Sequence, residues 1–390
     1  MTKKIILIVL LILVIQLVAG IIFFELDPEN TNINFEPANS QSETDTTIRF
    51  NSDGKLKILH IADTHLNYDK HFDASIWVIA EACDVEKPDL VVLTGDNTHP
   101  DEEPENTKKL INALMNIFES RSIPVAVTFG NHDAEAGPMT RKDIMEYYNT
   151  FSCVISVDDS MNFKNCATFN IPVLSSDSDK VKFNLWVFDS GDYDGEEPRH
   201  YDRVRTEQIE WYKQVSDKLK KGNNGENVNS LVFQHIIVGE IYDVLEKSDS
   251  KKPYAYKHLY NDDEYYRFDP EQINYGTIRE FPCPGYENYG QFNAMVEKGD
   301  VLAMFTGHDH TNAFGVRNQN IDIYTSPMTR YKGLAYTTQY GYRVVEIDEN
   351  DTSTYETRVE RLYDVFDFDY IKTAKDNGDK YSKRIAFELA

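Results

Sequence analysis

Apolar and polar positions alternate between three kinds of pattern along the chain. One is a single long block, Ile5 to Phe24, in which Gln16 is the one polar side chain. The second is a set of short apolar runs that stop abruptly on Gly, Asn, Asp or His. Leu90-Val91-Val92-Leu93 runs into Thr94-Gly95-Asp96-Asn97, and Leu56 to Ile61 stops just before Asp63. Pro124 to Phe129 ends on Gly130-Asn131-His132-Asp133, Ser230 to Phe233 leads to Gln234-His235, and Val301 to Phe305 ends on Thr306-Gly307-His308-Asp309-His310. A continuous apolar run bounded by turn residues predicts a strand buried on both faces. Gly95 permits the sharp turn that puts Asp96 at a strand's carboxyl end, where open α/β sheets place ligands.

The third pattern is helical. Asp73 to Glu86 reads as a helix with Asp73 as N-cap, Ile76, Val78, Ile79 and Ala82 as its apolar positions, and Pro88 beyond its end. Pro104 to Ser120 carries Leu110, Ile111, Leu114, Ile117 and Phe118 on one face, and Thr206 to Leu219 carries Trp211. Strand–helix–strand units in succession predict parallel neighbours joined by right-handed crossovers. Further strands are expected at Lys182 to Asp189 and near 321–324, 342–347 and 354–362. Residues 243–285, rich in Tyr, Asp, Lys and Pro, read as a long ordered insert near the mouth of a site.

The long amino-terminal block changes the picture of where this domain resides. About 20 apolar residues are what a helix needs to cross a bilayer, more than a secretory signal carries. Lys3-Lys4 before it and Glu25, Asp27 and Glu29 after it orient the amino terminus toward the cytoplasm. The expected organisation is a cytoplasmic tip (1–4), a transmembrane signal anchor (5–24), a flexible polar stalk (25–52), a catalytic domain (53–350) and a carboxyl-terminal strand with a charged tail (351–390). The domain would then be extracytoplasmic or lumenal; the alternative is secretion after signal cleavage at Val18-Ala19-Gly20. The net charge of −25 leaves no basic footprint for nucleic acid and suits a site that gathers cations. Four cysteines are too few for a disulfide framework. Cys153 and Cys166 could pair in an oxidising compartment; otherwise all four are free thiols.

The strand ends carry Asp63 and His65, Asp96, Asn131 and His132, His235, and His308 and His310. Carboxylates, imidazoles and an amide oxygen gathered at one sheet edge make a mixed oxygen and nitrogen metal site. The i, i+2 spacing of Asp63-Thr64-His65 and His308-Asp309-His310 lets both side chains of each pair point one way from an extended segment.

This set resembles the calcineurin-like metallophosphoesterase superfamily over residues 55–350. Thr306-Gly307-His308-Asp309-His310-Thr311-Asn312 is most similar to the purple-acid-phosphatase-related subgroup that includes yeast Dcr2-type phosphatases. The resemblance implies an α/β four-layer αββα sandwich with a dinuclear metal site at strand carboxyl ends. It implies that Asp63, His65, Asp96 and His310 hold one metal, that Asp96, Asn131, His235 and His308 hold the other, and that His132 is the catalytic histidine. The two divalent or trivalent ions would be Fe, Zn or Mn. Two cations ~3.5–4 Å apart stabilise the attacking and leaving oxygens of an in-line displacement and supply a metal-bound hydroxide, and His132 would donate a proton to the leaving oxygen or stabilise its charge. Asp133 and Asp309 are candidates for orienting neighbouring imidazoles; the bland alternative is a pair of surface turn carboxylates.

One position departs from the purple enzymes. Three residues after Asp96, where they carry a tyrosine ligand, stands His99, which reads as structural or solvent-facing. The expected activity is hydrolysis of phosphate monoesters, from phosphoproteins or small phosphate esters. The alternatives are a phosphodiesterase of the same fold and a binding protein that has lost catalysis.

Overall fold

Strands with both faces apolar need cover on both sides, and the observed layers supply it. The computed structural model describes residues 46–366, apart from 136, 156–162, 196–198, 250–251, 253–254 and 268–272. The expected anchor at 5–24, the stalk up to 45 and the tail beyond 366 therefore lie outside the described residues. Among the described residues no helix is long and apolar enough to cross a membrane.

In chain order the elements are β1 (Lys55–Ile61), α1 (Phe72–Glu86), β2 (Leu90–Leu93), α2 (Pro104–Glu119), β3 (Val125–Val127), α3 (Arg141–Tyr148), β4 (Phe169–Leu174) and β5 (Val181–Phe188). There follow a short hairpin of β6 (Tyr193–Asp194) and β7 (His200–Tyr201), α4 (Thr206–Gly222) and β8 (Ser230–Gln234). A small sheet of β9 (Glu246–Ser248), β10 (Tyr256–Lys257) and β11 (Tyr265–Arg267) precedes β12 (Ile273–Thr277), α5 (Gln291–Lys298) and β13 (Val301–Thr306). The chain continues through β14 (Ala313–Asn318), β15 (Ile321–Thr325), β16 (Gly341–Asp348), β17 (Asp351–Arg361) and a last turn of helix, α6 (Leu362–Val365).

Two sheets result. The first has the order β17-β16-β1-β2-β3 and the second β12-β14-β15-β13-β8-β5-β4. β1, β2 and β3 are parallel neighbours, as the two crossovers require. β5, β8, β13 and β15 are likewise parallel, with antiparallel β4, β14 and β12 at the flanks. The metal-ligand types expected at strand ends are thus divided between two sheets. β1–β3 bring one group and β8 and β13 the other.

The strand period of two sorts the core into layers. Leu56, Ile58, Leu90 and Val92 of the first sheet meet Leu185, Val187, Leu231, Phe233, Ala303 and Phe305 of the second. Their neighbours Leu59, Ile61, Val91 and Leu93 pack under α1, α2 and α3. On the far side Trp186, Phe188, Val232 and Met304 lie under Ile209 and Tyr212 of α4 and Phe292 and Met295 of α5. The order is helix, sheet, sheet, helix, the four-layer sandwich.

Several local details differ from the sequence expectation. His71, with no side-chain cap bond, occupies the N-cap position of α1, and Asp73 lies in its first turn. Ile48 and Phe50, within the stretch 25–52 read above as a stalk, are buried between the sheets. All four cysteines are free, Cys153 and Cys166 among them. The insert at 243–285 contains the small sheet and β12, which completes an edge of the second large sheet.

Leu185 is fully buried in the layer shared by the two sheets. Leu185→Ala is expected to lower the unfolding free energy by about 2–5 kcal/mol, checked by denaturant titration followed through tryptophan fluorescence.

Candidate metal centre

The loops that follow β1, β2, β3, β8 and β13 converge at one end of the sandwich. Asp63, His65, Asp96 and His308 all have positive φ, at 56°, 40°, 50° and 71°. Such backbone is uncommon outside glycine and is held in place by its surroundings. Here the first two loops are stitched together: the amides of Asp63, His65 and Leu66 donate to the carbonyls of Gly95, Asp96 and Asn97 at 3.1, 2.7 and 3.1 Å. Gly95 and Gly130 let the second and third loops touch. A Cβ on Gly95 would lie 2.0 Å from the Gly130 nitrogen, and one on Gly130 would lie 2.2 Å from Asp96 Oδ1.

The side chains then crowd together in two overlapping groups. Asp63, His65, Asp96 and His310 form one, and Asp96, His235 and His308 the other. His65 Nε2 and His310 Nε2 are 3.1 Å apart. Asp96 Oδ2 lies 3.4 Å from His65 Nε2 and 3.3 Å from His235 Nε2. Asp63 Oδ1 lies 3.6 Å from His310 Nε2 and 3.8 Å from His65 Nε2. Asn131 Oδ1 joins the second group at 3.2 Å from His235 Nε2. Donors spaced this way match the edges of a coordination shell with bonds of roughly 2.0–2.2 Å. Asp63 Oδ1, Asp96 Oδ2 and His308 Nε2 are buried with no hydrogen-bond partner. Buried polar atoms are normally satisfied, so these inward-facing atoms fit divalent cations, and Asp96 belongs to both donor groups.

Burial and the facing charges shift these groups in different directions. Burial pushes Asp63 up to about 7 against the pull of His235. Burial also works against Asp96 ionising, yet His235, His65 and His132 outweigh it and hold that carboxyl well below its ordinary value. His235 is pushed up to about 9 because Asp96 and Asp63 overcome burial. Burial lowers His65, His308 and His310, the last to about 4, which leaves them as the neutral imidazoles that metals bind. His235 Nδ1 donates to the Thr94 carbonyl at 3.0 Å, so its Nε2 faces inward.

His132 is placed beside, not within, the donor groups. Its backbone N–H donates to Asp96 Oδ1 at 2.7 Å. His99 lies against the cluster, its ring 5.3 Å from that of His65 and 5.5 Å from that of His132. Of the two readings of His99, structural or solvent-facing, the packing of its half-buried ring among these histidines favours the structural one.

Asp133 and Asp309 do not orient imidazoles. The Asp133 carboxylate instead collects backbone amides, those of Asp96 (2.7 Å), Asn97 (2.9 Å) and Gly130 (2.7 Å). It is a clamp between the second and third loops. Asp309 accepts from the Cys283 amide at 3.2 Å and so anchors the insert.

Four supporting residues carried no expectation. Tyr193 fixes the Asn131 amide, whose Nδ2 donates to the Tyr193 hydroxyl at 2.9 Å and so turns Oδ1 inward. Arg330 donates to the His65 carbonyl and to Asn67 Oδ1 and Asp69 Oδ2. Arg141 donates to the Gly130 carbonyl at 2.8 Å and pairs with buried Asp189. Glu135 bonds His132 Nδ1; its i+3 spacing from His132 was the one signal the sequence offered. Tyr265 and Tyr266 of the insert lie in the small sheet, where the Tyr266 ring stacks on Tyr242 and its hydroxyl donates to Glu264.

Asp133→Ala is expected to loosen the second and third loops and to lower the metal content at both sites, although Asp133 itself faces no donor group. Elemental analysis after gel filtration checks this against the circular dichroism of the variant.

Comparison with known proteins follows the same line. A calcineurin-like phosphoesterase family model matches residues 56–312. The chain is 28% identical over 336 residues to "Probable inactive purple acid phosphatase 14" of Arabidopsis thaliana, which takes in 77% of each chain. It is 26% identical over 296 residues to "Phosphatase DCR2" of Saccharomyces cerevisiae, covering 69% of this chain and 46% of that one. A solved dimetal phosphatase from Danio rerio covers 74% of this chain and 92% of that one, with 12% identity and a TM-score of 0.44. With more than half of its length matched, the chain belongs to the calcineurin-like phosphoesterase family.

Proposed function

We propose that this hydrolase cleaves phosphate monoesters with two divalent cations, one held by Asp63, His65, Asp96 and His310 and the other by Asp96, Asn131, His235 and His308. The observation that carries the reading is the meeting of both donor groups on Asp96 Oδ2, with His132 tied to the other oxygen of the same carboxylate. When bound, the cations supply Lewis-acid activation of water and neutralise the phosphoryl oxygens. The chain's own residues do the rest. Asp96 keeps the two groups in fixed relation, Tyr193 holds the Asn131 oxygen inward, and His132 presents an imidazole to the leaving oxygen. Tyr201, whose ring stands edge-on 4.3 Å from that of His308, forms a wall of the site with Tyr193. The substrate is a phosphoprotein or a small phosphate ester.

A second reading is catalytically silent binding, favoured by a relative whose name calls it probably inactive. Against it stands the complete set of donors with His132 beside them. Attachment to a membrane through 5–24, with the domain outside the cytosol, is supported by the length of that apolar run and the lysines before it. Metal-dependent release of phosphate from a chromogenic monoester, compared with a matched diester, tests the activity. Hydrolysis of the diester alone, or of neither, overturns the proposal.

Asp96→Asn is expected to weaken both metal sites and abolish activity. His132→Ala should retain the metals while turnover falls by ~10²–10⁴-fold. Metal analysis with steady-state kinetics on both variants separates the roles; loss of both metals from His132→Ala with none lost from Asp96→Asn would sink the assignment.

The iron- and zinc-loaded, oxidised protein should be active yet show no strong visible band, because such a band needs a phenolate bonded to iron. The position three residues after Asp96 holds His99, and the Tyr193 hydroxyl is engaged by Asn131. An absorption spectrum with a monoester assay on the same sample decides.

A further inference from the structure

Two lines of contact leave the metal centre and meet on one side chain. Along the first, His132 Nδ1 is hydrogen-bonded to Glu135 Oε2. The Glu135 amide donates back to the His132 carbonyl at 3.2 Å, so the turn folds the carboxylate against the ring. Along the second, Asn131 Nδ2 donates to the Tyr193 hydroxyl. The Arg199 guanidinium reaches both: it lies 3.9 Å from Glu135 Oε1 and 4.7 Å above the Tyr193 ring.

An ionised carboxylate only accepts hydrogen bonds. Glu135 therefore holds one N–H of His132 at Nδ1 and sets the ring so that Nε2, which carries the second N–H in the donating form, points away from the turn. We propose that Glu135 is the positioning residue that makes His132 the proton donor to the leaving oxygen, and that Arg199 braces Glu135. This rests on the phosphomonoesterase reading above. As the bond between phosphorus and the leaving oxygen breaks, its electron pair moves onto that oxygen, which takes the proton from His132 Nε2. His132 is left neutral with Nδ1–H still bonded to Glu135. The proton given up by the attacking water restores the balance, so ester and water yield alcohol and phosphate.

A residue that merely shaped the turn would slow all substrates alike. A residue that acts through proton donation matters most where the leaving alcohol is weakly acidic and least where it is a good leaving phenol. The test uses the full chain with its metals, an alkyl phosphate and a nitrophenyl phosphate. Glu135→Gln should lower kcat for the alkyl ester by about 10- to 100-fold, while the nitrophenyl ester loses only a few-fold and KM and metal content hold. Arg199→Ala should shift both in the same sense by less, and Glu135→Asp should recover part of the alkyl activity. In a His132→Ala background, Glu135→Gln should cost nothing further. Equal losses on both esters, or an undiminished loss in the His132→Ala background, overturn the proposal while leaving the phosphatase reading intact. A wild-type chain inactive on both esters overturns that reading and this proposal with it.

Discussion

The burial of Asp96 is the constraint on which the rest depends. A carboxylate with no access to water is costly unless charge and hydrogen bonds surround it. Here one oxygen takes the His132 amide and the other faces the imidazoles of His65 and His235. To deliver those groups, loops must come from five strands of two sheets. Their backbones must bend into positive φ, and two glycines must touch. The clamp of Asp133 follows from the same need, since amides drawn in beside Asp96 would otherwise have lost their water without replacement.

Beneath the site the two sheets are joined by a buried polar chain. Arg343 of β16 donates to the Ser326 hydroxyl, Ser326 bonds His60 Nδ1, and His60 Nε2 meets the Thr94 hydroxyl, at 2.9, 2.9 and 2.8 Å. The carbonyl of that same Thr94 receives His235. A satisfied network of this kind fixes one arrangement of the layers. It sets the height of His235 relative to Asp96, although the two come from different sheets.

Much of this was legible in the sequence because a strand end that carries function breaks its apolar run with turn formers and metal-ligand types together. Asp63, Asp96, Asn131, His235, His308 and His310 announced themselves in that way. The partition into sheets was not legible, since β1–β3 and β5, β8 and β13 are equally apolar on both faces. β4 was hidden by Asn170 and Pro172, which suit its edge position. α3 was missed because eight residues give little period, though Thr140 and Asp143 form its capping box. Asp133 was misjudged because adjacency to His132 suggested an imidazole partner, whereas its chain position aims it at the preceding loop. Tyr193 and Arg330 act across distances in the chain that no local pattern reports.

The donor groups also span the chain in a way that bears on its durability. His65 and His310 are separated by 245 positions, and they approach from different sheets. A cation gripped by both closes a very long loop, and closing such a loop removes freedom from the unfolded chain as a cross-link does. All four thiols of this chain are free. The two cations would thus be its staples as well as its reagents, and the domain's lifetime in a chelating medium would be set by how fast they leave.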